Sequence, residues 1–459
     1  MGVEEGEKWP LWKLVLMALP QVGVQVLWAF IGPYSAPYMR HLGLPDSLAT
    51  LNNIAGPITG FFTGPLVGAT SDSLTSRFGR RRPVILAGLV SVCIAGALFS
   101  GSEHFMPEGK AVYFAAPMYW VLDVTINVLQ TPHRALVSDL ATEDQQVPMQ
   151  VAFVVLMSVG NFMAFSVMTI YKSPVDHMFT LMCGICAFNC LCVGIQFLVA
   201  REEPLKKDPD GPKQSACAPV MDVVGAVAGS PRLLYHLAAV QCLVWIGITA
   251  WTLYAGQWFG NAVYGGDEKE PDGSPSKVAY ENGIRAFSVG GHGKAVLQLI
   301  SALLIIAILL KTNIRPRLVY APCIFIGLVV SILAAFFVGH NGAFAIVVMI
   351  FSVLPETGSF AIPFGLVATL NKRAEQEGKH VSTALQMALL NCCVTIGQQI
   401  CTMSLAGIEA SMELEAALPC VFIVAGVAQA LGGVGTLFLD DRPDDYDESA
   451  TLSESDSSD

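Results

Sequence analysis

The sequence predicts an all-α membrane protein of twelve transmembrane helices in two pseudo-symmetric six-helix halves. Three observations carry that prediction. The 459 residues are 53% hydrophobic and only 14% charged, too apolar for a soluble domain of ordinary surface. Apolar runs able to cross a hydrocarbon core of roughly 30 Å, which takes about 20 helical residues, recur along nearly the whole chain. Lys and Arg gather in alternate loops, as an even number of crossings requires.

The first six runs fall near 11–38, 49–71, 83–101, 111–138, 149–171 and 178–200. The first is too long, and lacks the small-residue cleavage site, for a removable signal peptide, so it is expected to stay as a helix. Six more runs fall near 233–255, 293–311, 317–338, 342–370, 381–406 and 417–439. The chain thus divides into an N-terminus (1–10), a first half (11–200), a linker (201–232), a second half (233–439) and a tail (440–459). The linker, with DPDGP and little other order, tethers the halves without forming a third domain.

Basic residues cluster at Arg77, Arg80, Arg81 and Arg82, at Arg201, Lys206, Lys207, Lys213 and Arg232, at Lys311, Arg315 and Arg317, and at Lys372, Arg373 and Lys379. The positive-inside rule places these four loops, and with them both termini, in the cytosol. The formal charge of -11 does not call for a basic partner, because the tail holds nine acidic residues and one Arg and so supplies -8 of it. That tail reads as disordered and solubilising. Of the 12 Cys, all but Cys217 lie in apolar runs, which implies neither a disulfide framework nor a zinc pattern. No cofactor, metal or nucleic-acid site is expected. An enzyme is also not expected, since nucleophile-base arrangements, phosphate loops and metal-ligand spacings are missing from the sequence.

Between the second and third helices runs G68-A-T-S-D72-S-L-T-S-R77-F-G-R-R-R-P83. An acid at a helix end before a dense basic cluster can lock helix ends in one conformation and release them in another, so Asp72, Arg77, Arg80, Arg81 and Arg82 are candidate gating residues. The plainer alternative is that the arginines only orient the helix pair. Two halves of six helices and this loop resemble the major-facilitator architecture, in which the halves rock around a midplane site.

The fourth helix carries an unusual stripe. Asp123, Asn127, Gln130 and Arg134 lie at offsets of four, seven and eleven, which puts them on one helical face. Each ionisable group inside a bilayer costs on the order of 3 kcal/mol on insertion scales, so this face should line a cavity. At about 1.5 Å per residue Arg134 lies roughly 16 Å from Asp123, too far for direct pairing. A carboxylate alternately wetted and dried can gain and lose a proton, which makes Asp123 the candidate proton carrier. Its alternative is a structural hydrogen bond to a neighbouring helix. Arg134 offers forked donors to a sugar or to a carboxylate of another helix; its alternatives are snorkelling or pairing with Asp139. Glu356, beside Pro355 and Gly358, is a second intramembrane acid where a broken helix can expose backbone to a substrate or cation.

Three stretches, GVQVLWAFIGPYSAPYMRHLGLP (23–45), GPITGFFTGPLVGATSDSLTSRFGRRRPVILAG (56–88) and WVLDVTINVLQTPHRALVSDL (120–140), resemble the sucrose-transporter branch of the glycoside-pentoside-hexuronide:cation symporters. The likeness continues through WFGNAVYGG (258–266), NGIRAFSVGGHG (282–293), IPFGLVATL (362–370) and ALQMALLN (384–391). It implies a proton-coupled carrier of sucrose or a related glucoside working by alternating access, with H+ as the coupling ion, in a plasma membrane rather than an organelle membrane. Asp123 and Arg134 match an intramembrane acid and arginine tied to transport in that branch. Gln25, Trp28 and Asn161 match family positions as well, and a sugar site needs amides for hydroxyls and an aromatic face for ring CH groups. Buried amides also simply join helices. Arg285 matches a family arginine expected at the outer mouth, before the eighth helix. The chain departs from the plant pattern at Ile31, Asp46, Ala255 and Gln257, of which the last three border the outer vestibule. Two competing functions are a proton-independent facilitator or exporter in an organelle membrane and a non-transporting membrane sugar receptor.

Overall fold

The computed structural model describes residues 9–52, 54–107, 109–141, 146–171, 175–202, 204, 232–312, 314–376, 383–412 and 414–439, and among them all regular structure is helical. Leu11–Ala18 (α1) and Pro20–His41 (α2) form the first crossing, bent by 41°. The bend has a local cause. Pro20 has no N–H to return to the Leu16 carbonyl, and the Leu19 N–H reaches that oxygen instead at 3.3 Å.

Asp46–Asn52 (α3), Ala55–Ser73 (α4), Arg82–Ser100 (α5), the single turn Ser102–Phe105 (α6), Ala111–Leu140 (α7), Gln146–Ile170 (α8) and Met178–Val199 (α9) complete the first half. The second half comprises Arg232–Gln257 (α10), Pro275–Lys311 (α11), Pro316–Phe336 (α12), Gly342–Phe351 (α13), Val353–Gln376 (α14), Thr383–Ser411 (α15) and Leu414–Leu437 (α16). Among the described residues eight spans are long and apolar enough to cross a bilayer, or nine with the bent first pair. Helices α4, α8 and α15 occupy the places of the other three expected crossings.

Two boundaries differ from the sequence expectation. The helix expected to end near 255 runs to Gln257 and on through a π turn, Trp258–Val263. The helix expected to start near 293 begins at Pro275, with the Ser274 hydroxyl accepting from the Lys277 N–H at 3.2 Å and a proline in the first turn. Hydropathy misses this extension because its residues are polar, yet it is packed rather than loose. A Cβ on Gly283 would stand 2.6 Å from the Phe259 carbonyl, so only glycine lets α11 lie backbone to backbone on the π turn. Arg285 is therefore an exposed residue within α11 rather than a residue of the preceding loop.

The crossing that carries Glu356 is interrupted at Ser352, between α13 and α14. Pro355 offers no N–H to the Phe351 carbonyl, which accounts for the break and leaves Glu356 in the first turn of α14.

Each half has its own apolar core. Leu27, Phe30, Phe99, Leu122 and Met182 anchor the first, and Trp251, Tyr254, Phe259 and Phe422 the second. Helix α5 packs on α7 within the first half, and α12 on α16 within the second; α8 meets α11 and α4 meets α15 across the divide. Outward, Phe62, Leu66, Leu198 and Phe336 are exposed, the apolar surface a bilayer would cover. A central cavity separates the two cores.

Candidate functional site

The cavity holds about 350 Å³ and is lined from both halves. Its N-terminal wall is built on α7. A Cβ on Gly88 of α5 would lie 2.7 Å from the Leu129 backbone nitrogen, so the glycine lets α7 press against α5. The opposite face of α7 then turns Asp123, Asn127, Gln130 and Arg134 to the cavity.

These side chains form a hydrogen-bonded chain. Asp123, wholly buried, accepts from the Thr59 hydroxyl of α4. The Asn127 amide lies 3.4 Å from the same carboxylate and donates to the Asp123 backbone carbonyl at 3.0 Å. Gln130 donates to Asn127 at 2.8 Å, and the Trp28 indole N–H donates to Gln130 at 3.2 Å. Among the described residues Asp123 has no ion-pair partner, and its Oδ1 is buried without a hydrogen bond. Arg134 is exposed to the cavity and donates to Gln21 at 3.2 Å. Its alternative partner is otherwise engaged, because Asp139 accepts from Arg80 at 2.8 Å and from Arg81 at 3.0 Å.

Gln25 and Asn161 line the cavity but bond first to each other, at 2.9 Å, and Asn161 then donates to Gln298 of α11, also at 2.9 Å. Through these bonds they join helices and halves while still facing the cavity. In the C-terminal wall Glu356 forms an ion pair with Lys294 of α11 at 3.0 Å. Trp245 lines the same wall, with Phe360 packed edge-on to it at 5.3 Å.

At one end of the molecule the arginine loop is tied to its own half. Besides Asp139, Arg81 reaches the Ser71 hydroxyl, and Arg82 donates to the Phe197 carbonyl at 3.0 Å with its guanidinium over the Phe197 ring. The Glu202 carboxylate accepts from the backbone N–H groups of Arg81 at 3.0 Å and Arg82 at 3.2 Å, capping the start of α5. Arg77 is exposed and lies over Phe78, apart from the cluster. The side chain of Asp72 lies outside the described residues.

Among the described residues the cross-half side-chain contacts that stand out lie at mid-depth and toward the other end. Phe165 packs on Phe287 with ring centroids 5.6 Å apart, Ser166 and His292 are 2.9 Å apart, and Arg40 is 3.9 Å from Glu268. With its amide oxygen turned to Arg40, Gln257 accepts from the two terminal guanidinium nitrogens at 3.1 and 2.6 Å. Toward the arginine loop the cavity extends as far as Gln21 and Arg134.

Sequence reading missed Thr59, Lys294, Gln298 and Glu202. A threonine in an apolar helix carries no signal of its own, and Glu202 looked like part of a charged linker. Lys294 did have a signal, a lone ammonium at the edge of an apolar run, but the misplaced start of α11 hid it.

A family model described as MFS/sugar transport protein matches residues 16–270. Sucrose transport protein SUT1 of Oryza sativa subsp. japonica is 27% identical, over 95% of this chain and 89% of the relative. Sucrose transport protein SUC4 of Arabidopsis thaliana is 28% identical, over 84% of this chain and 82% of the relative. Among solved structures, nucleoside transporter NupG aligns with a TM-score of 0.63 at 13% identity, covering 94% of this chain and 100% of that one. A D-xylose-proton symporter aligns with a TM-score of 0.62 at 12% identity, covering 93% and 97%. These two carry the major-facilitator fold.

Proposed function

Because the chain belongs to the MFS/sugar transport protein family, we propose that it is a secondary active carrier that moves sucrose or a related glucoside together with a proton, by alternating access. The observation that supports this reading most is Asp123: a buried carboxyl on the cavity wall, held by a hydroxyl and an amide rather than by a cation. Protonation removes the penalty of an uncompensated buried charge, and wetting removes it too. A group in that setting takes up a proton on one side of the transport cycle and releases it on the other.

In this account Gln25, Trp28, Asn127, Arg134, Asn161 and Glu356 present the amides, aromatic face and charges that receive sugar hydroxyls and ring CH groups. The relatives named for sucrose support a glucoside as cargo. The positive-inside rule assigns the arginine loop and both termini to the cytosol. The described cross-half contacts lie away from that loop, which supports a cytosol-facing reading of this arrangement. Arg80, Arg81 and Arg82, with Asp72 and Arg77, form the gate that engages when the cavity turns outward. The plasma membrane is the proposed location.

The test is uptake of labelled sucrose, maltose and hexoses into proteoliposomes with and without an imposed pH gradient. Gradient-driven accumulation of at least one sugar is expected. Flux of sugar indifferent to the gradient would make the protein a facilitator, and the absence of any sugar flux would end the sugar-carrier reading.

A further inference from the structure

The cavity contains two charged sites of different character, one in each half. On the N-terminal side Asp123 is wholly buried and has no ion-pair partner among the described residues. On the C-terminal side Lys294 and Glu356 neutralise each other at 3.0 Å, with side chains 18% and 13% exposed. Both line the cavity. Among the described residues neither has another hydrogen-bond or ion-pair partner, so the ammonium keeps two N–H donors and the carboxylate keeps most of its lone pairs.

An ion pair is a poor device for merely joining α11 to α14. Desolvating two charges costs several kcal/mol per ion, and packed apolar side chains of similar volume serve as well or better. What an apolar contact cannot supply is a strong donor and a strong acceptor side by side, open to a cavity. A donor and an acceptor 3.0 Å apart match the spacing of oxygens on adjacent carbons of a sugar ring. The same wall carries a third unfilled group. The indole N–H of Trp245, a residue that lines the cavity, is buried with no hydrogen-bond partner among the described residues.

We propose that Lys294 and Glu356 grip a vicinal diol of the sugar, the ammonium donating to one hydroxyl and the carboxylate accepting from its neighbour, while Trp245 donates to a further sugar oxygen. The inference rests on the sugar-carrier reading and deepens it by dividing the work. The second half recognises the sugar through a pair that stays neutral as a unit, and the first half handles the proton at Asp123. Lys294 and Trp245 thereby join the binding residues. Selectivity for ring sugars with adjacent free hydroxyls follows.

Single neutralisations leave a charge uncompensated and invite misfolding, so the decisive variant is the double one, Lys294→Met with Glu356→Gln. Uptake of labelled glucose and sucrose into proteoliposomes is measured for wild type and variant, with competition by deoxyglucoses lacking one ring hydroxyl. The double variant keeps one neutral hydrogen-bonding group at position 356, so loss of the charged grip is expected to raise KM roughly 10- to 100-fold, the equivalent of about 1.4–2.7 kcal/mol. The KM should rise more than the maximal rate falls, dependence on the pH gradient should persist, and the wild type's discrimination against at least one deoxyglucose should vanish. A folded double variant with unchanged KM and unchanged discrimination overturns the inference while leaving the sugar-carrier reading intact. A wild type that moves no sugar overturns both, and is recognised before any variant is made. If the double variant does not fold, Lys294→Arg keeps the charge but changes the donor geometry, and should raise KM and alter the discrimination among deoxyglucoses; unchanged values there overturn the proposal equally.

Discussion

Replacing Gly88 with alanine tests how packing at a distance sets up the cavity wall. The added Cβ would stand 2.7 Å from the Leu129 nitrogen and 2.8 Å from the Leu129 Cα, both backbone atoms that no rotamer change can move. Restoring ordinary contact at about 3.5 Å requires α5 and α7 to separate by about 1 Å. Overpacking of this kind costs about 1–3 kcal/mol. The displacement also shifts the polar face of α7 out of register with its partners on other helices, Thr59 for Asp123 and Trp28 for Gln130. The Trp28 bond is already 3.2 Å long, and both bonds are lost if their geometry shifts by that amount. At about 1 kcal/mol per bond the site is weakened by about 2 kcal/mol, or roughly 30-fold in function. Two assays read these effects: thermal unfolding of the purified protein and pH-gradient-driven sugar uptake. Gly184→Ala and Gly194→Ala are the controls, since an added Cβ at either position of α9 meets nothing within 4 Å and should leave both readouts near wild type. Gly88→Ala with wild-type stability and wild-type uptake would refute the claim that α5 positions the α7 face.

Asp139→Asn removes a carboxylate from Arg81, whose side chain is only 6% exposed, and is expected to lower unfolding stability by about 1–2 kcal/mol, below the value for breaking a buried pair because Asp139 is 31% exposed and Arg81 has other partners. A calorimetric or fluorescence melt checks it, and a change under about 0.5 kcal/mol would contradict it. Gln257→Glu converts the amide contact with Arg40 into a forked ion pair across the halves and should slow opening on that side, seen as a lower maximal uptake rate that recovers in high salt. Thr59→Val keeps the shape of the side chain but removes the hydroxyl that Asp123 accepts from; pH-gradient-driven uptake should fall about tenfold, while the melting temperature changes little.

What the sequence disclosed follows from which interactions are local. The stripe of Asp123, Asn127, Gln130 and Arg134 is legible because helical periodicity alone puts those residues on one face, and that face lines the cavity. The broken crossing near Glu356 is legible for the same reason, since a proline acts on the turn that precedes it. The start of α11 was not, because a polar helix extending from an apolar one has no hydropathy signal, and its clue, Ser274 followed by Pro275, is a short capping signature. Losing that start left Lys294 looking like the polar edge of an apolar run, and its pairing with Glu356 is seen only in the fold. Glu202 and Arg40 illustrate a further limit. Their roles depend on partners far away in the chain, the α5 backbone for one and Glu268 with Gln257 for the other, which only folding brings near. That Asp139 is held by Arg80 and Arg81 rather than by Arg134 is likewise visible only in the fold.

Asp123 is the proposed group that couples sugar to proton. Proteoliposomes containing wild type or Asp123→Asn, loaded at neutral pH and placed in acidic buffer, measure it most directly through accumulation of labelled sugar above equilibrium. The account predicts accumulation by wild type and none by Asp123→Asn, with the variant folded and monodisperse. Accumulation by Asp123→Asn at the wild-type level would contradict it.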